Sequence, residues 1–196
     1  MTRRYYRAPR RTAGGVTLPG LLLGAAVAGV LTGLAIPAFN SLGPQVGRSM
    51  VTLDQAFWST RQEAMMQRHD LLVEFDASGN QLRIVYDANG SGKADAGERV
   101  RTVALEPAIT FGRGRAPARA FGPEAVNFPK GASGLPTLTF RPDGRTSTPG
   151  GLYLTSVKAA AGDARRASDT RAIEFAPGTG RAEWSRWNGA SWVPGF

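Results

Sequence analysis

The stretch GGVTLPGLLLGAAVAGVLTGLAIPAF, residues Gly14 to Phe39, determines how the whole chain is interpreted. The segment from Leu18 to Phe39 contains no charged residue. As a helix it would be about 33 Å long, enough to cross a bilayer core of about 30 Å. It is longer than the apolar core of an ordinary secretory signal. On hydropathy alone, a cleaved signal ending near Ala38, a single-pass anchor and a retained assembly helix all remain open.

The formal net charge of +9 is unevenly distributed along the chain. Five arginines precede residue 15, and without them the rest of the chain carries +4. The basic start is typical of a segment that stays in the cytoplasm. The net charge of +4 on the rest of the chain is only a weak indication of nucleic-acid binding. The five arginines are Arg3, Arg4, Arg7, Arg10 and Arg11.

Cysteine and histidine usage limits the chemistry of the chain. Cysteine is absent, which excludes a disulfide framework, cysteine-ligated metal and thiol catalysis. His69 is the single histidine, so any Ser-His-Asp triad would depend on it. It falls at the predicted end of a helix, where histidine often complements the helix terminus. We therefore predict that the chain is not an enzyme.

A second helix is predicted after the apolar stretch. Gly43-Pro44 should break or loosen the helix, because proline removes a hydrogen bond and clashes with the preceding turn. Beyond it, apolar residues recur at helical spacing and must be buried, most simply against a sheet. They are Val46, Met50, Leu53, Phe57 and Ala64.

From Leu71 the pattern changes to short β-type runs separated by turn residues. The residues from Phe111 to Pro136 are rich in Gly, Pro and Ala and predict a long loop with little regular structure. A long helix followed by antiparallel strands predicts an α+β fold. Asn188-Gly189 predicts a last hairpin that carries tryptophans over the sheet. The predicted strands are LLVEF, QLRIVY, RVRTVAL, LPTLTF, GGLYLTSV, TRAIEF and GRAEWSRW.

The N-terminal region resembles the class III signal of type IV pilins and type II secretion pseudopilins. Gly15 stands between the basic leader and Val16-Thr17-Leu18, and Pro37 becomes residue 22 if the chain is cut after Gly15. In that family a prepilin peptidase cuts after the glycine and methylates the new amine. The family usually has phenylalanine first and glutamate fifth in the mature chain, where this chain has Val16 and Gly20. This departure suits a minor or tip subunit, some of which also lack the glutamate, and it equally suits a degenerate homologue.

Later segments resemble the minor pseudopilins of the GspH/FimT-like group. These are RQEAMMQRHDLLVEF, TFRPDGRTSTPGGLYLTS and RAIEFAPGTGRAEW. The resemblance implies a pilin fold, in which the long N-terminal helix packs on an antiparallel sheet. It divides the chain into a leader (1–15), a transmembrane and filament-core helix (16–45) and a periplasmic globular domain (46–196).

The same resemblance implies a structural subunit of a periplasmic pseudopilus in type II protein secretion. The subunit would span the bacterial inner membrane once, and Thr17, Leu18, Gly20 and Pro37 would belong to its assembly helix. Its partners would be prepilin peptidase, other pseudopilins and a secreted substrate. A DNA-uptake minor pilin and a plain membrane-anchored periplasmic domain are the alternatives.

The segment DANGSGKADAGE, Asp87 to Glu98, has the ligand order of an EF-hand calcium loop. Gly92 stands at position 6, where the loop turns sharply. The flanks predict strands rather than helices, and a polar hairpin turn is the alternative. No cofactor is required by the predicted function, and calcium would stiffen the loop. The candidate ligands are Asp87, Asn89, Ser91, the Lys93 carbonyl, Asp95 and Glu98.

The run GRGRAPARAF, Gly112 to Phe121, gathers Arg113, Arg115 and Arg119 in a predicted loop. Flexible arginines can neutralise phosphates without reading sequence. Some FimT-like relatives bind DNA through a Gly-Arg-x-Arg element, which Gly112 to Arg115 fits. The resemblance therefore makes DNA a candidate partner, with a solvated loop as the alternative.

Overall fold

A computed structural model describes Leu18, Pro19, Leu22 and residues 43–176 and 178–195. The chain forms two compact units, Met1–Ser41 and Leu42–Phe196. In the first unit, the three described residues are helical, and their side chains are exposed.

Helix α1 (Gly43–Gln67) carries the predicted apolar stripe. Pro44 is the second residue of this described helix, and because residues 40–42 lie outside the described part of the chain, the predicted break at Gly43-Pro44 stays a prediction. Beyond Gln67 the chain turns sharply through Arg68, which has a φ of 57°. All five residues of the predicted stripe are buried, as expected: Val46, Met50, Leu53, Phe57 and Ala64.

Ten strands lie in the described residues and form two antiparallel sheets. The first sheet has the order β3-β2-β1-β6, and the second has the order β10-β9-β8-β7-β4, with β5 also paired to β7. The strands are β1 (Asp70–Asp76), β2 (Gln81–Asp87), β3 (Val100–Ala104), β4 (Ile109–Phe111), β5 (Val126–Asn127), β6 (Thr137–Phe140), β7 (Gly150–Ser156), β8 (Arg171–Ala176), β9 (Arg181–Trp187) and β10 (Trp192–Pro194).

The seven predicted strands are all present, and so is the last hairpin, in which β9 pairs with β10. The α+β fold is confirmed. Sequence reasoning missed the short strands β4 and β5, which exist because their backbones pair with β7. It also missed helix α2 (Val157–Ala160) and a 3-10 helix (Ala164–Asp169) between β7 and β8. A three-residue strand is too short to show a period of its own.

The core lies where α1 meets both sheets, and aromatic rings fill its centre. The Phe57 ring of α1 meets Phe175 of the second sheet edge to face, with ring centroids 5.0 Å apart. Phe75 of the first sheet stacks on Phe128 at 5.0 Å. Such ring pairs contribute about 0.5–1.5 kcal/mol beyond the area they bury. The helix therefore joins two sheets that share one hydrophobic core.

Polar contacts fix the helix to the turns that surround it. Arg61 donates from Nε to the Gly144 carbonyl at 2.7 Å, and Trp184 donates from its indole nitrogen to Asp54 at 3.1 Å. Gly180, in the β8–β9 turn, has a φ of 62°, and a Cβ there would lie 2.3 Å from the Gly144 carbonyl oxygen. Only glycine permits these two turns to meet over Arg61.

Adjacent residues of α1 offer a matched test of this core. Phe57→Ala should lower the free energy of unfolding by about 3–5 kcal/mol, because it removes a ring from a packed core and leaves a cavity. Trp58→Ala, at a side chain that is 63% exposed, should change it by about 0.5 kcal/mol or less. Denaturant unfolding of both variants, followed by circular dichroism, measures the difference. Equal losses in the two variants would contradict the assigned orientation of the helix.

Candidate functional site

The loop between β2 and β3 brings the predicted calcium ligands together. Asp87, at the end of β2, is buried and accepts hydrogen bonds from the backbone N–H groups of Ser91 at 2.9 Å and Gly92 at 2.8 Å. Gly92 has a φ of +75°, which favours glycine at the turn. The loop thus folds back on the carboxylate of its own first residue.

Glu98 closes the other end of this loop. Its two carboxylate oxygens accept from the backbone N–H groups of Ala88 and Asp95, each at 3.1 Å. Asn89 donates to Asp95 at 2.9 Å, and the Lys93 ammonium lies 3.5 Å from the other Asp95 oxygen. The predicted ligands therefore converge, but several of their oxygens already accept hydrogen bonds from the loop itself.

Asp95 is the carboxylate of the loop with a shifted pKa. Hydrogen bonding with Ser91 and with Asn89 holds the pKa of Asp95 below its ordinary value, and the nearby Lys93 charge acts in the same direction. Asp95 is therefore ionised throughout the neutral range. Among the residues that the structure describes, no group of three or more His, Asp or Glu side chains is arranged to hold a metal ion. Calcium binding at this loop stays a prediction.

The arginine loop, Gly112 to Phe121, does not present three free cations, because two of its arginines contact other groups of the domain. Arg113 donates to the carbonyl oxygens of Ala116 and, at 3.3 Å, of Pro123. Arg119 forms an ion pair with Glu174 at 3.2 Å and lies over the Trp192 ring, 5.7 Å from its centroid. Of the three predicted DNA contacts, only the side chain of Arg115 is fully exposed. The contacts of Arg113 and Arg119 order the loop, and DNA binding by these residues stays a prediction.

The last hairpin holds this loop in place. Trp192 donates from its indole nitrogen to the Pro117 carbonyl at 3.1 Å, and its ring lies 5.9 Å from Tyr153 and 5.7 Å from Trp187. The Tyr153 hydroxyl accepts from the Arg119 N–H at 2.7 Å. The prediction that tryptophans cover the sheet holds, but the contact across 75 residues could not be read from the sequence.

The residues of the N-terminal motif lie mostly outside the described part of the chain. Gly15, Val16, Thr17, Gly20 and Pro37 are in this group, so their predicted roles remain predictions. In the described residues, no helix is both long and apolar enough to cross a membrane.

His69 is exposed between α1 and β1, as a residue at a helix terminus would be.

Sequence reasoning missed the outward face of α1. Val51, Trp58 and Met66 are 45%, 63% and 81% exposed, and they alternate with the glutamines Gln55 and Gln62 at helical spacing. This outer face is defined by these five residues, and the charged residues Arg48, Asp54 and Arg61 flank it on α1. A groove of about 290 Å³ runs beside it, lined in part by Asp54, Trp58, Arg61 and Arg181. The only signal in the sequence was the position of these residues opposite the buried stripe.

Comparison with known proteins identifies the class. A family model described as Type II transport protein GspH matches residues 52–173, which is more than half of the chain. The chain therefore belongs to the GspH family, and the resemblance predicted from the sequence is confirmed. The matched region runs from α1 through β8.

Among solved structures, the chain is similar to the minor pseudopilin EpsH from the Type 2 Secretion System of Vibrio cholerae. The sequence identity is 14%, the match covers 76% of this chain and 95% of that chain, and the TM-score is 0.35. At that TM-score the similarity adds nothing to the family assignment, which rests on residues 52–173. No curated protein matches the sequence.

Calcium titration tests the β2–β3 loop. The purified chain should release or absorb heat on titration with calcium, with a dissociation constant of about 10⁻⁴–10⁻³ M, as in extracellular calcium modules. Glu98→Gln, which removes one charge and keeps the shape of the side chain, should abolish this heat. Asp143→Asn, in the exposed turn after β6, serves as the matched control and should leave it unchanged. No heat from the unaltered chain would leave the loop as a polar turn.

Proposed function

We propose that this member of the GspH family is a minor pseudopilin, a structural subunit of a periplasmic pseudopilus in type II secretion. It is made as a precursor, cut after Gly15 by prepilin peptidase and methylated at Val16. The segment Leu18 to Phe39 anchors it in the inner membrane before assembly and packs against sister helices afterwards. The globular domain stays in the periplasm throughout.

The observation that carries this proposal is the division of α1 into two apolar faces. One face supplies the buried stripe, and the outer face exposes Val51, Trp58 and Met66. Large exposed aromatic and Met side chains are enriched at protein interfaces. The outer face therefore supports packing against neighbouring subunits.

The uncharged run from Leu18 to Phe39 supports the anchor. At about 1.5 Å per residue it has the length of a bilayer core. The arginines before residue 15 orient it with the N-terminus in the cytoplasm. Pro19 near the start of the run is tolerated, because the first N–H groups of a helix have no partner to lose.

Gly20 indicates which kind of subunit this is. In the relatives that the sequence resembles, a glutamate at this place is thought to pair with the amine of a neighbouring subunit. A glycine cannot supply that attraction, so assembly must rely on apolar packing along the helix. We therefore assign the chain to a minor or tip position, with secreted substrate as a partner of its exposed loops.

The DNA-uptake alternative has less support. A DNA surface needs cations that are free to approach phosphates. Arg113 and Arg119 instead contact carbonyl and carboxylate oxygens of the domain. The other alternative is a membrane-anchored periplasmic domain that joins no filament. It leaves the outer face of α1 without a role.

Intact-mass measurement of the protein from native envelopes tests the proposal. The mature chain should begin at Val16 and carry one methyl group on its amine. Gly15→Val should leave the precursor uncut, because the peptidase of this family requires glycine at the cut. Gly14→Val, one residue earlier, is the matched control and should still be processed. A chain that begins at Met1, or one that begins beyond Ala38, would contradict the proposal.

A further inference from the structure

The end of the domain where α1 begins carries a concentration of positive charge. Four segments distant in sequence meet there: the loop after β4, helix α2, the 3-10 helix, and the adjoining ends of β8 and β9. We call this surface the basic end. It is defined by Arg113, Arg115, Lys158, Arg165, Arg171 and Arg186.

Close backbone packing brings these segments together. Gly114 has a φ of +54°, and a Cβ there would lie 3.1 Å from the Ala159 carbonyl oxygen of α2. The Arg113 carbonyl oxygen accepts from the Thr170 hydroxyl at 3.2 Å, which joins the same loop to the start of β8. The arginine loop therefore lies against α2 and the 3-10 helix.

Like charges face each other directly across the sheet at this end. Arg171 and Arg186 are cross-strand partners in the β8–β9 register. Burial, and the neighbouring Arg186 charge after it, lower the pKa of Arg171. Like charges placed directly opposite one another are destabilising. An external anion that approaches the two guanidinium groups reduces the repulsion between them.

The nearby carboxylates offset the positive charge of the basic end only in part, and the Asp169 charge acts on Arg171 by raising its pKa against the two lowering effects. Asp169 is buried and accepts from the Ser156 hydroxyl at 2.7 Å. Asp163 accepts from the Arg165 N–H at 3.0 Å as the N-cap of the 3-10 helix. Glu106 is exposed near the first turns of α1, where it lines a small groove with Ser49. Of the six cations, Arg113 and Arg171 donate to carbonyl oxygens of the domain, and the other four are exposed. These four are Arg115, Lys158, Arg165 and Arg186.

The basic end adjoins the point at which the chain enters the domain. A Cβ on Gly43, the first residue of α1, would lie 3.6 Å from the Asp169 carboxylate oxygen at the end of the 3-10 helix. Phe39, the last residue of the proposed membrane segment, precedes Gly43 by four residues, which span about 14 Å at most.

We propose that the basic end binds anionic phospholipid headgroups of the membrane that holds the Leu18 to Phe39 segment. This inference rests on the proposed membrane insertion of that segment. Basic clusters next to a transmembrane helix are attracted by anionic lipids. The short link also keeps the headgroup phosphates at high effective concentration around these cations. Duplex DNA or an acidic protein would have to reach this end from solution, because the chain is not covalently linked to either.

The chain lacks cysteine, so single labelling sites can be introduced cleanly. Ala164→Cys, exposed beside Arg165, carries a fluorescent donor, and the acceptor is attached to lipid headgroups in trace amounts. The full mature chain is placed in vesicles of phosphatidylcholine, or of about three parts phosphatidylcholine to one part phosphatidylglycerol. Energy transfer should be at least about twofold larger with phosphatidylglycerol, and the difference should vanish in about 1 M NaCl, where the Debye length is about 3 Å.

Two triple variants with the same change in net charge separate the basic end from overall charge. Lys158→Gln, Arg165→Gln and Arg186→Gln together should remove the gain in energy transfer. The control triple consists of Arg141→Gln, Arg145→Gln and Arg181→Gln, all exposed near the turns that meet at Arg61. That site lies 18 residues further along α1, or about 27 Å from Gly43. The control triple should keep the gain.

Each other outcome overturns a defined part of the account. Equal energy transfer in both kinds of vesicle would overturn lipid binding by the basic end. So would an equal loss of the gain in energy transfer in both triple variants. If the first triple instead abolished salt-sensitive binding of duplex DNA and left energy transfer unchanged, the surface would be a nucleic-acid surface. Release of the protein from vesicles by an alkaline wash would contradict membrane insertion itself, and with it the proposed function.

Discussion

Burial of one face of α1 is the interaction on which the rest of the structure depends. The stripe from Val46 to Ala64 lies in the single core shared by two sheets, and the Phe57 ring contacts residues of both. Removal of apolar surface from water contributes about 25 cal/mol for each Å², so the burial of this stripe stabilises the contact between the helix and both sheets. Because it fixes the rotation of the helix, it also fixes which side chains face outward. The exposed position of Trp58 is thus a consequence of the burial of its neighbour Phe57.

That rotation gives the two ends of α1 different surroundings. At the Gly43 end the helix meets the 3-10 helix and the cations that converge around it. Towards the other end, Arg61 holds the glycine-rich turns after β6 and β8. The Gly43 end therefore carries charge, and the length between the ends carries the outer face. This arrangement suits a subunit that first rests on a bilayer and then packs beside other subunits.

The sequence predicted the elements with a strong internal period and missed those that depend on distant contacts. The apolar stripe was sufficient to predict α1, and the alternation of apolar and polar residues was sufficient to predict β8. Strand β4 and helix α2 could not be predicted, because a partner strand and the Ser156 cap stabilise them. The candidate sites divide in the same way. The β2–β3 loop closes on itself through local hydrogen bonds, and its role as a calcium site stays a prediction. The contact between Arg119 and Glu174 spans 55 residues and could not be predicted from the sequence.

The central claim is that the outer face of α1 contacts other subunits in the assembled machine. Replacing Trp58 by a photoreactive residue and irradiating native envelopes tests it most directly, with Ser78 in the exposed β1–β2 turn as the reference position. The account predicts a covalent adduct between this chain and another pilin-like protein at position 58 and none at position 78. An adduct only at position 78, or none at position 58 in envelopes that secrete normally, would contradict it.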